Sequence, residues 1–147
     1  MKRAIASALA FVLTACGGSQ PAPAGASAQP GDPCADVELD VEKVWGASVR
    51  AEFLGKGGAI AGETRQSVAT KLDALSRDWV MLRRSVCLDY FKRQLISKQQ
   101  YSTRAACLDQ NLQRQRSLIA SLDAGADVQV DSALRSASDE IGRCGNE

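Results

Sequence analysis

Histidine is absent from all 147 residues. Its absence removes the commonest general base near neutral pH and the commonest imidazole metal ligand. An excess of charge is missing as well, since 18 Lys and Arg stand against 17 Asp and Glu, for a formal charge of +1. Nucleic-acid binding needs a strong basic surplus, so no nucleic-acid partner is expected. No apolar run approaches the roughly 20 residues of a helical membrane span, no stretch alternates like a strand, and no CxxC pair suggests a metal site. Neither a metal nor a cofactor is therefore expected.

What is present starts with a leader. Met1-Lys2-Arg3 is positive, Ala4 to Val12 is apolar, and Leu13-Thr14-Ala15-Cys16 closes the segment. Such a short apolar run after a positive start is the pattern of a signal peptide. Its last four residues resemble the lipobox of bacterial lipoproteins, in which the cysteine is acylated, with palmitate among the expected chains, and the peptide is cut just before it. Residues 1–15 are then leader and Cys16 is the lipid attachment site. Two or three acyl chains give stable anchoring, whereas one holds only marginally. Gly17 follows the cysteine, and by the same resemblance the outer membrane is the expected destination, because lipoproteins kept in the inner membrane often carry Asp there. Without Lys2 and Arg3 the balance becomes 16 basic against 17 acidic residues. After Cys16, residues 17–33 are Gly, Ser, Ala, Gln and Pro with no charge before Asp32, so 16–33 reads as the lipidated cysteine and a flexible tether.

Residues 34–147 leave room for one domain of about 110 residues. With 45% apolar and 24% charged residues in the chain, a packed core is expected. Four stretches carry a helical stripe. The first is Val37, Val41 and Val44, continuing less clearly through Ser48 and Ala51. The second is Val68, Leu72, Leu75, Trp79, Leu82 and Val86, on a helix predicted over about 64–95. The third is Tyr101, Ala105, Leu108, Leu112, Gln115, Ile119 and Leu122, and the fourth is Val130, Leu134, Ala137, Ile141 and Cys144. The segment Gly55-Lys56-Gly57-Gly58, with Gly62, should end the first helix. Ser97 should cap the third, Gly125 should end it, and Asp127 should cap the fourth. Short connections favour antiparallel neighbours, so the expected fold is all-α, a disulfide-stapled up-down four-helix bundle.

Of five cysteines, Cys16 goes to the lipid, and four in an exported domain read as two disulfides. Three pairings are open. Cys87 and Cys107 each lie ten residues from Ser97, which puts them at one height in a hairpin. Cys34 before the first helix and Cys144 at the end of the fourth should meet at one end. The expected pairs are therefore Cys87 with Cys107 and Cys34 with Cys144.

From Asp32 to Asn146 the sequence resembles the extracytoplasmic cysteine-containing region that follows the kinase and membrane span in many large serine/threonine protein kinases of myxobacteria. The resemblance is carried by Asp32-Pro33-Cys34, Trp45, the run Asp78-Trp79-Val80-Met81-Leu82-Arg83 leading to Cys87, then Ser97, Arg104, Cys107-Leu108 and Cys144. The twenty-residue step from Cys87 to Cys107 keeps the family spacing. Where the family carries a glycine in the turn before the serine, this chain has Gln94. The kinase is absent: there is no Gly-rich phosphate loop, no HRD and no DFG. The resemblance implies an extracytoplasmic domain and brings no catalytic residue with it.

Charge is unevenly distributed. Residues 83–116 hold eight Lys or Arg against Asp89 and Asp109, while 32–63 and 117–147 are each acidic by four. Pairing across the bundle is the simpler account. The sharper one is an interaction surface made by Arg83, Arg84, Lys92, Arg93, Lys98 and Arg104 near the turn, meeting acidic polymer, lipid head groups or a protein. Trp45 and Trp79 are expected to pack in or near the core, with ligand stacking as the alternative. No nucleophile stands beside a base, and Gly55-Lys56-Gly57-Gly58 lacks the strand and the following Lys-Ser/Thr of a phosphate loop. The chain therefore reads as a non-catalytic, lipid-anchored envelope protein, an interaction or structural and sensory module with an envelope protein partner. No small-molecule substrate is identified. The competing readings are a ligand-binding sensor partner of an envelope-spanning kinase and an envelope hydrolase working through Asp73, Asp78 or Asp89.

Overall fold

The computed structural model describes residues 31–56, 62–125 and 129–146. Among them the structure is all-helical, with α1 (Val37–Trp45), α2 (Ala47–Gly55), α3 (Gly62–Phe91), α4 (Lys98–Asp123) and α5 (Val130–Cys144). The predicted leader and tether, Cys16 included, lie outside the described residues, as do Gly57, Gly58 and Asp127.

The long helix α3 is the centre of the packing. Its stripe of Val68, Leu72, Leu75, Trp79 and Val86 is buried as expected, with Leu82 partly buried against the same cluster. Trp79 is wholly enclosed. Its indole N–H donates to the Leu108 carbonyl at 2.7 Å, so the ring fills the α3/α4 contact without leaving a polar atom unpaired. Truncation of a fully buried indole of this kind costs about 3–5 kcal/mol. On α4 the stripe from Ala105 to Leu122 is buried, including Gln115. Asn111 joins it, donating to the Ala137 carbonyl of α5 at 2.9 Å and accepting from Gln115 Nε2 at 2.7 Å. These bonds satisfy the buried Asn111 amide and the Gln115 Nε2, while Gln115 Oε1 stays buried without a partner among the described residues.

Helix ends follow local chemistry. Ser97 accepts from the Gln100 N–H at 3.2 Å and the Gln100 side chain accepts from the Ser97 N–H at 2.9 Å, a complete capping box. Gly125 closes α4 in the left-handed region, φ 73°, where glycine carries no Cβ penalty. At the end of α3 the left-handed position is taken by Gln94, φ 54°. There the Lys92 and Arg93 N–H groups share the Leu88 carbonyl and the Leu95 N–H reaches Asp89. The turn therefore occupies the conformation that a glycine would favour.

One expectation fails in the first helix, which is two helices. Gly46 is extended (φ −80°, ψ 176°) and separates α1 from α2. A Cβ placed on it would lie 2.4 Å from the Glu42 carbonyl oxygen, so the kink requires glycine. The break re-phases the chain: Ser48 and Ala51, which would continue the α1 stripe, are exposed, and Phe53 is buried instead. Lys56 caps α2 through Glu52, and Gly62 belongs to α3 rather than to the preceding terminator.

The second correction concerns the disulfides. Cys34 is joined to Cys87 and Cys107 to Cys144, with Cα separations of 5.8 and 5.6 Å. The helix order and the turn at Ser97 stand. Arg84 pairs with Glu38, and the Trp45 indole with Asp73, so α1 runs antiparallel to α3; Tyr90 stacks on Tyr101, and Arg114 meets Glu140. All four cysteines consequently share the end of the molecule that carries the α3/α4 turn, and height cannot choose among the pairings. Angle does. Cys87 follows the core-facing Val86 and Cys107 precedes the core-facing Leu108, each turned by about 100° from its helix's buried stripe. One flank faces the chain entering α1 and the other faces α5. Each staple thus ties an outer segment to the central hairpin.

Candidate functional site

Two surfaces have the makings of recognition sites. The first is a groove of about 490 Å³ between α1 and α3, floored by Val41, Trp45, Val80 and Met81 and rimmed by Glu38, Glu42, Arg77 and Asp78. Gly46, extended between α1 and α2, lines its end. Met81 is 63% exposed there. Ser76 also borders the groove; its hydroxyl oxygen is buried and has no hydrogen-bond partner among the described residues. A buried hydroxyl without a partner is costly, and its burial keeps it from presenting a polar contact to the groove. Trp45 itself is buried at 5% exposure, with its N–H on Asp73 at 2.8 Å and its ring edge-on to Phe53 at 5.4 Å. It can serve the groove as a fixed wall.

The second surface is the α3/α4 tip. Of the six predicted interaction residues, Lys92, Arg93 and Lys98 lie on it, all exposed. Arg93 bonds Asp89 at 2.8 Å, and neither lysine side chain meets a carboxylate among the described residues. The other three stand further back. Arg83 is largely covered, over the Tyr101 ring at 5.8 Å and 3.9 Å from Asp109. Arg84 pairs with Glu38 at 3.5 Å, and Arg104 is partly buried. The predicted cluster is therefore divided: Lys92, Arg93 and Lys98 are at the tip, Arg83 and Arg104 are partly covered, and Arg84 is exposed in an ion pair with Glu38. Sequence reasoning missed the apolar half of the tip: Leu95 is 71% and Phe91 45% exposed.

The carboxylates considered for hydrolysis do not converge. Asp73 is held by Trp45 and by Arg50 at 3.0 Å, Asp78 rims the groove, and Asp89 is bound by Arg93. Sixteen residues of helix, about 24 Å, separate the first from the last. A more polar depression between α3 and α5 contains Lys71, Asp131 and Arg135. The Lys71 ammonium bonded to Asp131 holds that carboxyl below its ordinary pKa. The pair is exposed, so it reports surface pairing rather than catalytic tuning. Among the described residues no group of three or more His, Cys, Asp or Glu could hold a metal ion, and no helix is long and apolar enough to cross a membrane. No protein-family model, curated protein or solved structure matches the chain.

Proposed function

We propose that the chain is a lipid-anchored protein of the bacterial cell envelope whose domain acts without catalysis as an interaction module. In this reading α1 and α2 form one broken arm, and with α3, α4 and α5 they make the stapled up-down four-helix bundle. The observation that carries the proposal is the allocation of cysteines. Two disulfides take Cys34, Cys87, Cys107 and Cys144, and the one cysteine left of five is Cys16, at the end of the lipobox-like Leu13-Thr14-Ala15-Cys16. Disulfides fit an oxidising compartment, and acylation fits the remaining thiol. The outer membrane is the proposed address, from Gly17. Labelling of producing cells with radioactive palmitate tests the anchor. Label should enter the wild-type chain and not Cys16→Ser, and equal labelling of both would remove the proposal's foundation.

The groove beside Trp45 favours a second reading, in which the domain is the ligand-binding sensor partner of an envelope-spanning kinase with a similar ectodomain. Its support is the apolar floor of that groove, Val41, Trp45, Val80 and Met81, set inside a charged rim. Cross-linking in intact envelopes separates the two. Recovery of a kinase ectodomain favours the sensor, whereas recovery of a secretion, motility or polysaccharide assembly favours a structural subunit.

A further inference from the structure

The α3/α4 tip is exposed apolar surface set among cations, at the end of the domain where the chain enters. Residues 91–98, Phe-Lys-Arg-Gln-Leu-Ile-Ser-Lys, contain three cations and no carboxylate. Leu95 projects most of its surface, Phe91 nearly half, and Ile96 is partly buried. Behind them Tyr90, Phe91 and Tyr101 form one aromatic group, with ring centres 4.7 to 5.5 Å apart, so the tip has a rigid base. The Cys34–Cys87 disulfide fixes where the chain arrives. Cys87 lies four residues, about 6 Å of helix, before Phe91. The fifteen steps from Cys16 to Gly31 can reach no further than about 50 Å.

We propose that this tip docks on the membrane surface itself, with Leu95 and Phe91 entering the head-group region and Lys92, Arg93 and Lys98 meeting anionic phospholipid. This rests on the lipid-anchor reading for its biological setting, although the docking is a property of the tip alone. Three observations favour lipid as the occupant. The described chain enters the domain at this end, through Cys34 bonded to Cys87, which is where a lipid-anchored tether would join it. Aliphatic and aromatic side chains interleaved with Lys and Arg match the boundary between acyl chains and head groups. The tip itself, residues 91–98, carries no carboxylate, and Asp89, the carboxylate before it on α3, is bonded to Arg93. A tip seated in this way would give the domain one orientation on the membrane, with the groove beside Trp45 on its flank rather than underneath.

The test uses the full unacylated Cys16→Ser chain carrying Leu95→Trp. Trp45 and Trp79 are buried, so the new indole is the one able to report contact with lipid. With vesicles of phosphatidylglycerol and phosphatidylethanolamine its emission should shift to the blue and be quenched by lipids brominated on the acyl chains. With phosphatidylcholine alone the response should be much weaker. Each cation at an anionic surface is worth about fivefold in binding, so replacing Lys92, Arg93 and Lys98 together by Gln should weaken vesicle affinity by about a hundredfold. Emission identical with and without anionic vesicles would overturn the proposal. A blue shift that grows with protein concentration in the absence of lipid would also overturn it, in favour of a second copy of the chain. Because this arm needs no acylation, a failed palmitate experiment on Cys16 removes the anchor and leaves the tip to be judged by the vesicles.

Discussion

Arg65 donates from Nη1 to the Phe53 carbonyl at 3.0 Å and carries its guanidinium 4.9 Å above the centre of the Phe53 ring. At 4% exposure it is the most deeply buried cation among the described residues. It joins the C-terminal part of α2 to α3, and Asp123 at the end of α4 lies 3.9 Å away. A cation at a helix C-terminus is favourable both as a donor to orphan carbonyls and against the helix dipole. Arg65→Met keeps the aliphatic length and removes the charged hydrogen bond. The variant should lose about 1.5–3 kcal/mol in urea denaturation, and an unchanged midpoint would show that the contact is incidental.

Gly46→Ala should destabilise through a single clash. The added methyl would meet the Glu42 carbonyl oxygen, a backbone atom that cannot swing aside. The expected loss is about 1–3 kcal/mol, accompanied by a change at Trp45, whose fluorescence reports the neighbouring helix end. Retention of both the melting temperature and the emission maximum would mean that α1 and α2 can fuse.

Gln94 offers the opposite sign. A non-glycine residue at φ 54° pays the left-handed penalty of about 1–2 kcal/mol, and glycine would return part of that gain through a freer unfolded chain. Gln94→Gly should therefore stabilise by about 0.5–1 kcal/mol, while Gln94→Val should destabilise. Thermal unfolding of the pair checks the sign, and equal melting temperatures would contradict the strained turn.

Peptide mapping of the unreduced protein should recover Cys34 linked to Cys87 and Cys107 linked to Cys144. In the chain-entropy account, loops closed across separations of 53 and 37 residues contribute about 4 kcal/mol each. Small domains have about 5–15 kcal/mol in total, so full reduction should leave the domain close to unfolding, while either double Cys→Ala variant should fold with a lowered melting temperature. A Cys34–Cys144 peptide would contradict the packing of α1 and α5 on opposite flanks of the hairpin.

The parts of this fold that repeat were legible from sequence. Spacing of four and three along Val68 to Val86, and again along Ala105 to Leu122, located two long helices and most of the large apolar residues they bury, because burial on a straight helix follows its period. Ser97 was readable as a cap for the same local reason. The misreadings came where a single residue or an angle decided the outcome. Gly46 interrupts a stripe that continues on paper through Ser48 and Ala51, and nothing in the period announces an extended backbone there. Arg65, a charged residue, has no apolar signature to mark its burial. Height along the helices, which all four cysteines share, cannot rank their pairings, whereas rotation about the helix axes selects the partner. At the tip, counting charges found Lys92, Arg93 and Lys98 but passed over Leu95, whose exposure depends on a wide turn around Gln94.

The Cys34–Cys87 link also determines how the domain would respond to tension. A pull arriving through residue 31 meets a covalent bond three residues later and passes directly into α3, the helix against which the other helices pack. Helices α1 and α2 lie beyond that junction and bear none of the load, so they cannot be peeled away one turn at a time from the end being pulled. With the bond reduced, the same pull would enter α1 first and open the domain like a zip, through Val41, Val44 and then the Trp45–Asp73 contact. The redox state of one cysteine pair thus selects between a domain that resists traction as a block and one that unravels from its tethered end.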